Sequence, residues 1–135
     1  SGLCGCHGQD QSQKRRKTLN KRAVGENYEQ MAAGYLQIRG ARIVDCNFHS
    51  RRGEIDLIMW ESGYLVFVEV KYRRSEKAGN PAEAVTLQKQ RRICQTAQYY
   101  LYTRHIPQNT PVRYDVVAIC GDEITWHRNA FEHMW

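Results

Sequence analysis

Glu54-Ile55-Asp56-Leu57-Ile58-Met59-Trp60 and Tyr64-Leu65-Val66-Phe67-Val68-Glu69-Val70-Lys71 are two strand-like runs, and only Glu61-Ser62-Gly63 separates them. Strands joined by so short a connection are antiparallel neighbours, so the Asp56 end of one run lies beside the Lys71 end of the other. Alternate side chains of a strand point to opposite faces. Both faces of the second run are apolar until Glu69, which marks a strand covered on each side. Glu69 and Lys71 share a face, roughly 7 Å apart along the chain. An ionised carboxylate taken out of water costs several kcal/mol unless it is paired or bound to a cation. Two acids and one amine gathered where a buried sheet opens to solvent therefore call for a chemical reason.

Working outward, Tyr28, Met31, Ala32, Tyr35 and Leu36 follow the stripe of an amphipathic helix, in a chain whose order begins near Val24. Gly40 suits its C-terminal stop. Residues 41–48 read as a first strand and 49–53 as a basic turn leading into the second. After the third strand and a charged loop, Asn80-Pro81-Ala82-Glu83 has the form of a helix start, with Asn80 as cap. This second helix is expected to run to about Tyr102, its apolar side carrying Val85, Ile93, Ala97, Tyr100 and Leu101. Residues 112–119 form a fourth strand, parallel to the third because the helix is a crossover. Residues 123–127 form a short edge strand. The expected fold is α/β: a sandwich with a mixed central β-sheet flanked by α-helices.

A chain of 135 residues fits one domain with a real core. It shows no apolar stretch of membrane length and no apolar signal region, so a cytoplasmic protein without membrane contact is expected. Five cysteines, an odd number, argue against a disulfide framework. Cys4-Gly5-Cys6-His7 has zinc-ligand residue types but no second pair at suitable spacing. The formal net charge is +6, and most of it belongs to residues 1–22, where Lys14, Arg15, Arg16, Lys17, Lys21 and Arg22 face Asp10 alone. That segment is almost free of apolar residues and reads as a disordered basic arm ahead of a single domain over 23–135. Such an arm adds non-specific phosphate affinity, or is simply a solvated extension.

Asp56 and Glu69 are oxygen ligands for a hard divalent cation, magnesium or manganese. A cation so held polarises a phosphate, activates a water and offsets charge on the leaving oxygen. Lys71 is placed to orient that water or to stabilise developing charge. Arg51, Arg52, Arg73, Arg74, Lys77, Lys89 and Arg92 ring the acidic centre. Acids alone would repel a phosphodiester, so acid and base make sense together if a metal joins them. The residues point to a metal-dependent endonuclease with Arg51, Arg52, Arg73, Arg74, Lys89 and Arg92 on the nucleic acid. A plainer reading makes Glu69 and Lys71 an ion pair at a strand end. The functional alternative is a nucleic-acid-binding protein of the same fold with little hydrolysis of its own.

Gly-Glu-Ile-Asp-Leu-Ile at 53–58, Leu-Val-Phe-Val-Glu-Val-Lys at 65–71, Pro-Ala-Glu-Ala-Val at 81–85 and Arg-Arg-Ile at 91–93 resemble the YraN-like family. That family is grouped with Holliday-junction resolvases in the restriction-endonuclease-like PD-(D/E)xK superfamily. The resemblance covers about 25–119. It implies a restriction-endonuclease-like core, Asp56, Glu69 and Lys71 as the catalytic set, and DNA, branched or Holliday-junction-like, as partner. Resolvase relatives also use a glutamate on the first helix. Tyr28-Glu29-x-x-Ala32-x-x-Tyr35-Leu36 matches that helix, which makes Glu29 the catalytic and metal-ligating candidate and Glu26 the reserve. Cutting two symmetry-related strands further implies a homodimer. Trp126, Phe131 and Trp135 are candidates for its interface, or for covering the sheet edge within one chain.

Overall fold

A computed structural model describes residues 20–73 and 85–134, with the side chains of 20–26 and of Arg73 left aside. Most of the basic arm, the Cys4–His7 cluster, Arg74, Lys77, the Asn80–Glu83 segment and Trp135 lie outside the described residues. Helix α1 spans Asn20–Ile38. It begins before the apolar stripe that starts at Tyr28. Gly40, at φ 102°, ends it, and the Ala41 amide returns to the Leu36 carbonyl at 3.0 Å. A left-handed backbone at that position is what glycine tolerates without strain.

Three strands follow as a meander: β1 Arg42–Ser50, β2 Gly53–Glu61 and β3 Tyr64–Arg73. The β2–β3 connection is the two-residue turn Ser62-Gly63, with both residues at positive φ, the geometry whose twist matches antiparallel strands. Helix α2, Leu87–Thr103, crosses to β4, Val112–Cys120, and β5, Glu123–Phe131, closes the sheet. Strand order is β1-β2-β3-β4-β5, antiparallel throughout except for the parallel β3–β4 pair. The α/β expectation holds, and the architecture is compatible with a restriction-endonuclease-like sandwich.

Two details differ from the sequence reading. The second helix starts later, with Thr86 as its N-cap, the hydroxyl accepting from the Lys89 amide at 3.1 Å. Val85 is buried but precedes the helix. The chain holds two cap-like signals, Asn80-Pro81 and Thr86, and local sequence does not rank them. Strand β5 also runs beyond His127 to Phe131, because a register shift between Tyr114 and Val116 interrupts the alternation that would have revealed it.

Each sheet face carries its own core. Ile55, Ile58, Leu65, Phe67, Tyr114 and Val116 pack under α2 with Ile93, Ala97 and Tyr100. Leu57, Met59, Val66, Val68, Val117 and Ile119 pack under α1 with Ala32, Ala33 and Leu36. Phe131 joins the α2-side core and stacks on Tyr114. Trp126 packs at the α1-side core, and its indole N–H donates to Asp115 at 2.7 Å. Both aromatics thus make contacts within the chain. Towards the start of β3 and β4, buried Arg113 holds Asp115 through two bonds of 2.9 Å and Glu61 through one of 2.8 Å. The Asn129 amide also donates to Asp115, at 2.9 Å, which fastens the irregular stretch of β5 to β4.

Candidate active site

The pairing of β2 with β3 runs from Glu61↔Tyr64 to Leu57↔Val68 and stops there. Asp56 and Glu69 are the first residues beyond the last pair. β3 meanwhile stays paired to β4 as far as Arg73↔Cys120, and β2 to β1 as far as Gly53↔Ser50. The sheet therefore forks between β2 and β3, and both acids stand at the fork. The Val70 amide, left without a partner on β2, donates to Asp56 Oδ2 at 2.8 Å. One buried carboxylate thus replaces the missing ladder bond, which fixes its orientation.

Asp56 and Glu69 are 8 % and 6 % exposed. Glu29, half-buried on α1, reaches Asp56 from the helix side. Its Oε1 is buried without a hydrogen-bond partner among the described residues. Burial, then the Asp56 charge, pushes the Glu29 carboxyl up to about 8, against the help of Asn47. The same two causes bring Glu69 to about 7, although Lys89 and Lys71 pull it down. Asp56 is also raised, chiefly by burial, and the Val70 amide opposes the rise. Asp56 is the shared neighbour: protons on Glu29 and Glu69 turn like-charge contacts into hydrogen bonds onto it.

Two ammonium groups face Glu69 Oε2, Lys71 at 3.9 Å and Lys89 at 3.7 Å. Lys71 comes from the same strand. Lys89 comes from the first turn of α2, held there by the Thr86 cap. Its contact with Glu69 brings it into the acidic centre rather than leaving it only on the rim. Ser50 Oγ and Thr96 Oγ1, 3.2 Å apart, tie the β1–β2 turn to α2, and Gly53 lets β2 start close against Arg92. Arg51, Arg52, Glu54, Lys89 and Arg92 line the open cleft of ≈ 700 Å³ that results. Asp56, Glu69, Glu29 and Lys71 are thus brought together, and Arg51, Arg52 and Arg92 lie beside them.

Sequence reasoning missed Asn47. It adopts φ 55°, a conformation asparagine tolerates better than most residues, and its side chain hydrogen-bonds Glu29. Its neighbours in β1 carry no local hint of that turn towards α1.

The donor types suit a hard cation, although among the described residues no three such side chains stand together as a ready-made metal site. The set offers three carboxyls, one with a buried unpartnered oxygen, and burial and mutual repulsion both disfavour their full ionisation unless positive charge enters. Two ammoniums offset only part of that charge. Among the described residues no helix is long and apolar enough to cross a membrane.

The family described as "Uncharacterised protein family UPF0102" matches residues 28–119. That span includes every acid and both lysines of the cluster. A UPF0102 protein of Lachnoclostridium phytofermentans is 49 % identical over 114 residues, covering 84 % of this chain and 97 % of that one. One from Nitrosococcus oceani is 45 % identical over 119 residues, covering 85 % and 96 %. One from Colwellia psychrerythraea is 42 % identical over 125 residues, covering 89 % and 95 %.

Proposed function

The chain belongs to the UPF0102 family, and from that premise and the carboxylate cluster at the sheet fork we propose that it is a metal-dependent DNA endonuclease acting on branched DNA. The observation that carries this reading is buried Asp56 standing next to both Glu29 and Glu69, with Lys71 and Lys89 against Glu69. A purely structural cluster would place a cation between each acid and the next. Here the acids meet one another, and a buried oxygen of Glu29 is left over among the described residues.

Asp56 and Glu69, with Glu29, would hold one magnesium or manganese ion. Such an ion supplies Lewis-acid polarisation of a phosphate and neutralises charge on the departing oxygen. Asp56 keeps its position through the Val70 amide, and the ligand set sits on two strands and a helix rather than on loops. Lys71 orients the attacking water or takes up negative charge that grows on the phosphate. Lys89 presents a second ammonium from α2 to a neighbouring oxygen. Arg51, Arg52 and Arg92, with Arg73 at the end of β3 and Arg74 next to it in sequence, hold flanking phosphates and set register. Two copies related by a two-fold axis would cut two strands of a junction symmetrically.

The test is cleavage of four-way, flapped and linear DNA in manganese, with sedimentation at the same protein concentration. Lys71→Ala should reduce cleavage on the order of 100-fold, with metal and DNA binding changed modestly. Normal turnover with collapsed DNA affinity would make Lys71 a phosphate anchor instead.

A further inference from the structure

Beside the acidic centre stands an aromatic pair that metal binding and phosphate contact leave unused. Tyr28 precedes Glu29 on α1, and Tyr72 follows Lys71 on β3. Their rings stack with centroids 4.2 Å apart and planes 16° from parallel. The phenols also hydrogen-bond, which raises the Tyr28 hydroxyl above its ordinary range. Tyr28 is anchored by packing at the α1-side core. Tyr72 lies on it and is 44 % exposed. Among the described residues, no ring other than Tyr28 lies against Tyr72.

Lys71 and Tyr72 are consecutive on a strand, so they leave β3 on opposite faces. Lys71 faces Glu69 and Lys89 on the α2 side, where the Arg51–Arg52–Arg92 cleft opens. Tyr72 faces α1. The acidic centre is therefore flanked by cationic side chains on one face and by a flat aromatic surface on the other. Tyr72 lies three residues beyond Glu69, about 10 Å along the strand. That distance is within roughly three stacked nucleotide steps of 3.4 Å.

We propose that the Tyr28–Tyr72 stack is a platform for an unpaired DNA base next to the scissile phosphate, so that the site selects DNA whose strands separate there. The inference rests on the nuclease reading and narrows it from branched DNA in general to DNA with a splayed single strand. The chemistry is that of the ring face: every base has a π-surface, and a paired base in a duplex cannot turn it towards a protein ring. Tyr72 is held flat by Tyr28 before the base arrives, so little side-chain freedom is lost on binding. The exposed ring supplies the contact.

Calcium in place of magnesium permits binding to be measured without turnover. The full chain is titrated with a flapped DNA carrying 2-aminopurine in the single-stranded arm at the junction, and with a fully paired duplex of equal length. The wild type should bind the flapped DNA about 10-fold more tightly and quench the probe. Tyr72→Ala should lose about that factor on flapped DNA alone, together with the quench, and Tyr72→Phe should keep both. Tyr72→Ile, which keeps an apolar strand residue over Tyr28 but has no ring, should behave as Ala does. It carries the test if the Ala variant melts early. Equal losses on both DNAs, equal effects of Phe and Ile, or a wild type without preference would each overturn the platform. Binding with the stated preference but no cleavage in manganese would instead remove the nuclease reading and leave the platform standing. A wild type that binds neither DNA removes both.

Discussion

Asp56 has two separable roles, anchor of the Val70 amide and central charge of the acidic cluster, and two substitutions divide them. Asp56→Asn keeps an oxygen 2.8 Å from the amide and drops the charge, whereas Asp56→Ala removes both. Because the β2–β3 ladder ends at Leu57↔Val68, the amide in the Ala variant has no replacement acceptor on β2. A buried donor left unmade costs about 1–3 kcal/mol. Both variants relieve the same like-charge contact with Glu29 and Glu69, so that gain cancels between them. The expected difference is then about 4–12 °C in Tm, taking roughly 4 °C per kcal/mol for a domain of this length. In metal-free buffer at pH 8, Asp56→Asn should melt above Asp56→Ala by that amount, and at or slightly above the wild type. Manganese at about 100 times its Kd adds roughly 2.7 kcal/mol to a protein that binds it. The wild type should therefore gain about 10 °C on that addition, and neither variant should. Equal melting of the two variants without metal would refute the anchoring argument. A manganese shift that persists in Asp56→Asn would refute the ligand assignment.

Protonation supplies a second test. Glu29 and Glu69 titrate near 8 and 7 in the fold, above the ordinary value of 4.5. Their protonated forms stabilise the metal-free protein, fully below about pH 4.5, and that contribution is lost as pH rises through 7 to 8. In chelator, Tm should therefore fall between pH 6 and 8.5, and Glu29→Gln should flatten the slope; an unchanged slope would contradict the burial of Glu29. Arg51→Ala with Arg52→Ala should weaken DNA binding alike for all sequences and make the salt dependence shallower by up to about two units of log–log slope. Filter binding at several salt concentrations reads this out, and an unaltered slope would place DNA elsewhere. Asp115→Ala should cost about 3–5 kcal/mol, because it strands buried Arg113 and leaves the Trp126 indole and Asn129 amide without an acceptor. Chemical denaturation measures it, and a loss under 1 kcal/mol would show that the network adds little.

Alternation and turn chemistry by themselves determined the meander, the crossover helix and the nearness of Asp56 to Lys71. Those follow from contacts local in sequence: the apolar run at 64–68, the short connection Glu61-Ser62-Gly63, and a helix too long for a hairpin link. The acid pair was legible for the same reason, since a carboxylate ending a run of buried strand residues is costly enough to stand out. Glu29 carried no such mark in its own helix, and entered only through resemblance to a known helix pattern. Tertiary structure decided the rest. The fork between β2 and β3 and the packing of α1 set Asp56 beside both Glu69 and Glu29, because where a ladder stops depends on how both strands twist against their other neighbours. Lys89, in the first turn of a helix capped by Thr86, meets Glu69 only when α2 packs on the sheet. Tyr28 meets Tyr72 across 44 residues of chain, and the Arg113–Asp115–Glu61 network ties β4 to β2. Such pairings leave no periodicity behind, since the groups that make them obey the local rules of their own elements and are joined only when those elements pack.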